Sequence, residues 1–191
     1  MKKRICVFAS SSNKIDEVYF NEANELGKLI GTNGYDLVYG AGSVGTMFAT
    51  ASSAKANGAK VYGVIPEKLN NIGVDWKECD EFIVTECMAS RKQKMRELAD
   101  AYIAIPGGFG TLEEILEVIT LKQLGYHAKP IVFLNTNSYY SILFAQFATM
   151  FDEHFAKQEN ENLYYIAKNP QDAINYIKTY QKTETVEKWA R

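Results

Sequence analysis

Short, continuously apolar runs rich in β-branched residues alternate along this chain with longer stretches whose apolar positions recur every three to four residues. The short runs fall at 5–9, 35–40, 60–65, 81–85, 101–105 and 129–134. They lack an apolar/polar alternation, which is the pattern of strands covered on both faces. The longer stretches fall at 17–30, 46–56, 90–99, 111–124, 139–151 and 170–180. In the first of them Ala23, Leu26, Leu29 and Ile30 recur at helical spacing, and in the fourth Leu112, Ile115, Leu116 and Ile119 do so. Gly-Tyr-Asp at 34–36 and Asn-Gly at 57–58 mark turns from helix back to strand. Repeated strand–helix alternation predicts an α/β fold, a three-layer sandwich with a mostly parallel sheet flanked by helices. The residues from about 181 to 191 are polar and read as a fraying tail.

Composition narrows the class. The 191 residues are expected to form one domain, with 47% hydrophobic and 23% charged residues, an ordinary globular balance. The net charge of −2 gives no general attraction for nucleic acid or acidic membrane. Cys6, Cys79 and Cys87 are odd in number and without CxxC spacing, which fits a reducing compartment and excludes a disulfide framework. His127 and His154 are far apart, so no transition-metal site is expected. The apolar run after the basic MKKR start is too short for a signal segment. No apolar run approaches the roughly 18 residues that span a bilayer. A cytoplasmic location, with no membrane partner, is the expectation.

In open α/β sheets ligands bind outside the carboxyl ends of the strands, and four such ends carry candidate chemistry. Ser10-Ser11-Ser12-Asn13 follows the first strand. Its hydroxyls suit a phosphate or ribose as well as a turn and helix cap, and both readings stand. Tyr39-Gly40-Ala41-Gly42-Ser43-Val44-Gly45 follows the second and matches GxGxxG. That spacing admits a nicotinamide dinucleotide, although the loop is not on the first strand and no acidic residue stands ready for a ribose. Pro106-Gly107-Gly108-Phe109-Gly110-Thr111 follows the fifth and precedes a strong helical pattern. So many glycines at such a junction point to anion binding by backbone N–H groups. The Lys-Ser/Thr ending of an Mg²⁺-dependent P-loop is missing. Thr111 and Glu114 have the spacing of a capping box, which predicts Thr111 as N-cap. After the fourth strand, Arg91 and Lys92 sit early in a helix, against its macrodipole, and such a broken local rule marks a candidate function.

These motifs together resemble a known family. PGGFGTLEE at 106–114 fits PGGxGTxxE, MASRK at 88–92 is close to MHxRK, and YGAGSVGTM at 39–47 is close to YGGGSVGLM. With ICVFASSS at the start, the likeness runs from about 4 to 178, in the same order. The chain resembles the LOG family of cytokinin riboside 5′-monophosphate phosphoribohydrolases, long labelled possible lysine decarboxylases. The resemblance implies a Rossmann-like homodimer that cleaves the N-glycosidic bond of a nucleoside 5′-monophosphate without metal or redox cofactor. It makes Arg91 and Glu114 the catalytic pair. It assigns the phosphate to Gly107, Gly108, Gly110 and Thr111, and further substrate contacts to Lys92 and Thr120. Ser12, Gly42, Gly45 and Met88 complete the candidate substrate-binding set. The sequence departs from the family pattern at Ala89, Ala41, Phe48 and Gly73, positions that bear on base recognition. No lysine stands in a context that would hold pyridoxal phosphate, so a decarboxylase is rejected. A non-catalytic nucleotide carrier on the same fold and a nicotinamide-dependent oxidoreductase are the rival readings.

Overall fold

Each of the six expected apolar runs forms a strand in the computed structural model, which describes residues 2–181. In chain order the elements are β1 (Arg4–Phe8), α1 (Glu17–Thr32), β2 (Asp36–Tyr39), α2 (Gly45–Ala56), β3 (Val61–Pro66) and α3 (Glu67–Asn70). There follow β4 (Glu81–Thr85), α4 (Met88–Leu98), β5 (Ala101–Ala104), α5 (Phe109–Gln123), β6 (Ile131–Leu134), α6 (Ser141–Asp152), β7 (Tyr165–Ala167) and α7 (Pro170–Thr179). The strands make one sheet in the order β4-β3-β2-β1-β5-β6-β7, every neighbouring pair parallel. The tail expected from about 181 lies, apart from Gln181, outside the described residues.

The two-residue period of a strand sorts its side chains between two cores. On one face Ile5, Val7, Leu37, Val61, Ile103 and Val132 pack with Ala23, Leu26 and Ile30 of α1, Ala51 and Ala54 of α2, and Ile174 of α7. On the other, Cys6, Phe8, Val38, Val64, Tyr102 and Phe133 pack with Met95 of α4, Ile115 and Val118 of α5, and Phe147 of α6. Each of the large aliphatic side chains so enclosed contributes about 1.5–3 kcal/mol relative to exposure. The helices α1 and α2 cross closely because Gly27 and Gly31 stand against the α2 backbone. A Cβ on Gly27 would lie 2.3 Å from the Thr50 carbonyl oxygen.

Strand order reverses at β1: β2, β3 and β4 extend to one side, and the chain returns to place β5 on the other. The carboxyl ends of β1 and β5 therefore flank the switch point, where such sheets hold ligands. The four-residue helix α3 lies outside the stretches expected to be helical, and two further elements differ from the sequence expectation. The edge strand β7 has only three residues, with Ile166 exposed, too short to announce itself as a run. The helix α5 begins at Phe109 with Gly108 as its N-cap, so Thr111 lies inside the first turn and no capping box forms. Gly108 lets the chain enter the helix early, and Glu114 is left free for another partner. Among the described residues no helix is long and apolar enough to cross a membrane.

Candidate active site

A cleft of about 360 Å³ opens at the switch point. It is lined by Ala9 and Ser10–Ser12 after β1, Met47 of α2, Met88 and Arg91 of α4, and Gly108 through Thr111, Glu113 and Glu114 of α5. A larger cavity of about 450 Å³ lies at the opposite ends of the strands, against Arg4, Asp100, Lys129 and Pro130. It holds neither a glycine loop nor a helix N-terminus, which makes the smaller cleft the candidate site.

The cleft is built around one buried ion pair. Arg91 Nη1 donates to Glu114 Oε1 at 2.7 Å, and both residues are only 6% exposed. Arg91 Nε donates to the Val64 carbonyl oxygen at 3.0 Å, which fixes the plane of the guanidinium. Burial pushes the Glu114 carboxyl above its ordinary range. The Arg91 guanidinium pulls it back, Glu113 adds an upward push, and Lys92 a downward one. A carboxylate held in place by a fixed cation at the wall of a cleft is placed to exchange a proton with a group bound there. Removing either partner would leave a buried charge alone, at a cost of about 3–5 kcal/mol.

The loops around this pair are locked to one another. The Ser10 N–H donates to Thr46 Oγ1 at 3.2 Å, and the Met47 N–H to the Ser10 carbonyl at 3.0 Å. The Gly45 N–H donates to Asn13 Oδ1 at 2.8 Å. Gly40 leaves space for Arg91, since a Cβ there would lie 2.2 Å from Nη2.

Of the residues singled out from sequence, the fold brings Ser12, Met88, Arg91, Gly108, Gly110, Thr111 and Glu114 together on the cleft. Gly107 lies directly behind, its Cα against the Thr111 side chain. Gly42 and Gly45 support the wall: Gly42 bridges to Asp75, and Gly45 packs on the Ser10–Ser11 backbone. Lys92 is engaged elsewhere, pairing with Glu113 and, at 3.5 Å, with Glu117 Oε1. Arg96 joins the same array through Glu117 Oε2 at 2.5 Å. Thr120 stands further along α5, against a separate apolar groove with Leu116, Phe147 and Phe151, and its hydroxyl donates to the Leu116 carbonyl. Met47 and Phe109 also line the cleft without having been singled out, and so does Glu113, the neighbour of Glu114 in the motif. Phe109, 93% exposed, occupies the variable position of PGGxGT, which gave no signal of its own. Among the described residues no group of three or more His, Cys, Asp and Glu side chains could hold a metal.

A family model described as "Possible lysine decarboxylase" matches residues 47–177. The cytokinin riboside 5′-monophosphate phosphoribohydrolase LOG5 of Arabidopsis thaliana is 36% identical over 179 residues, 94% of this chain and 78% of that protein. The chain belongs to the LOG family. Among solved structures, the molybdenum cofactor binding protein of Rippkaea orientalis superposes with a TM-score of 0.72 at 27% identity, covering 94% of this chain and 97% of that one. The Moco carrier protein of Chlamydomonas reinhardtii gives 0.70 at 26%, covering 93% and 96%. This LOG-family chain thus shares its fold with proteins named as carriers and its sequence with proteins named as hydrolases.

Proposed function

We propose that this protein hydrolyses the N-glycosidic bond of a purine nucleoside 5′-monophosphate, either AMP or a cytokinin-type N6-substituted AMP, to free base and ribose 5-phosphate. The observation that carries this reading is the Arg91–Glu114 pair, buried at the cleft beside the Gly108–Thr111 turn. Anchored by the N-terminus of α5, the phosphate supplies binding energy remote from the bond that breaks. Cleavage develops oxocarbenium-like charge on the ribose. Glu114 faces that charge as a carboxylate and activates the attacking water, and Arg91 keeps it ionised and oriented. The step uses no metal and no redox cofactor. Ser12 and Met88 contact the ribose and base, and Lys92 exchanges Glu113 for the phosphate when substrate enters.

The apolar groove beside Thr120, lined by exposed Leu116 and by Phe151 and Ala156, the last of which follows exposed Phe155 in the chain, supports a homodimer in which Thr120 serves the interface side of the site. The three unpaired cysteines support a cytoplasmic setting. A carrier without turnover is the second reading, favoured by the solved carrier structures and by Ala89 and Gly73.

The test incubates the protein with AMP and with N6-isopentenyl AMP and follows free base by chromatography. Base release by the wild type that falls about 10³-fold in Glu114→Gln supports the hydrolase. AMP bound without release by the wild type gives the carrier reading instead.

A further inference from the structure

Outside the cleft lining stand two tyrosines that the reaction scheme does not use. The chain leaving β6 makes a tight turn over Thr136–Ser138, in which Asn137 and Ser138 adopt left-handed φ angles of 51° and 59°. Such angles are costly for residues with a side chain and persist where the surroundings enforce them. The turn delivers Tyr139 and Tyr140 with their rings edge to face, centroids 5.0 Å apart. The Tyr140 N–H is held by Asn135 Oδ1 at 2.8 Å, and Tyr19 of α1 meets the Tyr139 ring edge-on. Both hydroxyls then donate, each at 2.7 Å, to carbonyls of one loop: Tyr140 to Ile105 and Tyr139 to Gly107.

The two carbonyls are not equivalent. In a planar trans peptide the C=O and N–H point in opposite directions. The Ile105 carbonyl shares its peptide with Pro106, which has no N–H. The Gly107 carbonyl shares its peptide with the Gly108 N–H, and Gly108 is both a cleft residue and the N-cap of α5. A peptide between two glycines turns over easily, because neither flanking residue has a Cβ to restrict it. Holding its carbonyl on one side fixes its N–H on the other.

We propose that Tyr139 is a positioning residue for the substrate phosphate: its hydroxyl clamps the Gly107–Gly108 peptide so that the Gly108 N–H faces the anion. Tyr140 is its structural counterpart, which steadies the strand end without directing a donor. The inference rests on the phosphate-binding role proposed for this loop, and it identifies a residue that touches no substrate.

The experiment measures the Kd of ribose 5-phosphate by calorimetry for the wild type, Tyr139→Phe and Tyr140→Phe, alongside AMP kinetics. Tyr139→Phe should raise the Kd and the KM for AMP together, by about 5- to 10-fold, the worth of one neutral hydrogen bond. The kcat should fall by a smaller factor. Tyr140→Phe should lower the melting temperature and leave the Kd unchanged. A Kd for Tyr139→Phe equal to wild type overturns the proposal, as does an equal rise in Tyr140→Phe. Should Tyr139→Phe not fold, the amide resonance of Gly108 in the wild type decides: it must shift on saturation with ribose 5-phosphate. Wild type that binds ribose 5-phosphate but releases no base from AMP removes the hydrolase reading and leaves the clamp standing.

Discussion

The two glycine-rich loops of this protein look alike in sequence and do opposite work. In the loop after β2, a Cβ on Gly40 would strike Arg91 and one on Gly45 would lie 2.3 Å from the Ser10 carbonyl oxygen. Gly45 also holds φ at +70°. In the loop after β5, a Cβ on Gly108 or Gly110 would meet nothing within 4 Å. The first set of glycines is consumed by the protein's own packing; in the second, Gly107 is likewise taken up by the Thr111 side chain, but Gly108 and Gly110 leave room for something the chain does not supply. GxGxxG spacing was therefore a poor guide to a dinucleotide here. What a glycine is for depends on which neighbour comes close, and that neighbour is far away in sequence.

The comparison breaks most visibly in stability. Gly45→Ala should cost about 3 kcal/mol or more, since it must relieve both a left-handed φ and a backbone contact. Gly108→Ala should change stability by less than about 1 kcal/mol. Thermal unfolding should separate them by roughly 5–10 °C, and equal melting temperatures would mean that the loops are equivalent. Gly40→Ala comes next. The methyl must displace the end of the Arg91 side chain, which can move but then leaves Glu114. Activity should fall about 100-fold, with a stability loss of up to about 3 kcal/mol, the cost of breaking a buried pair. Retained activity would show that the ion pair is dispensable.

How far the sequence foretold this arrangement follows from how local each signal is. The strands β1–β3, β5 and β6 were legible because burial on both faces demands continuous apolar runs, whereas β4, read as covered on both faces, is an edge strand with Glu81 and Val84 exposed. Arg91 stood out because a buried cation early in a helix opposes the dipole, and its partners Val64 and Glu114 offset that cost in the folded protein. The start of α5 was misread because Thr111 and Glu114 have capping-box spacing, while the open space at Gly108 lets the helix begin sooner. Tyr139 carried no signal at all. Its role exists only because β5 and β6 are neighbours, so that the turn after one strand reaches the loop after the other. Lys92 was legible as a cation near the site, but its pairing with Glu113 and Glu117 depends on how α4 and α5 pack.

The smaller effects sharpen the contrast. Gly110 lies within the first turn of α5, where alanine favours the helix by about 0.5–1 kcal/mol. Gly110→Ala should therefore unfold no earlier than wild type, yet bind ribose 5-phosphate about tenfold more weakly, because its methyl enters the anion's space. Unchanged affinity in calorimetry would place the phosphate elsewhere. The least effect concerns pH. Activity requires ionised Glu114, so the rate should fall as pH drops through its raised pKa, on a limb above that of an ordinary glutamate. Lys92 lowers that pKa and Glu113 raises it. Lys92→Met removes the lowering charge and leaves Glu113 unneutralised, both in the same direction. The acidic limb of kcat/KM should then move to higher pH, and Glu113→Gln should move it down. If Lys92 acts only as a phosphate contact, its loss raises KM and leaves the limb where it was. The pH profile thus separates a cation that tunes the carboxylate from one that only holds the substrate.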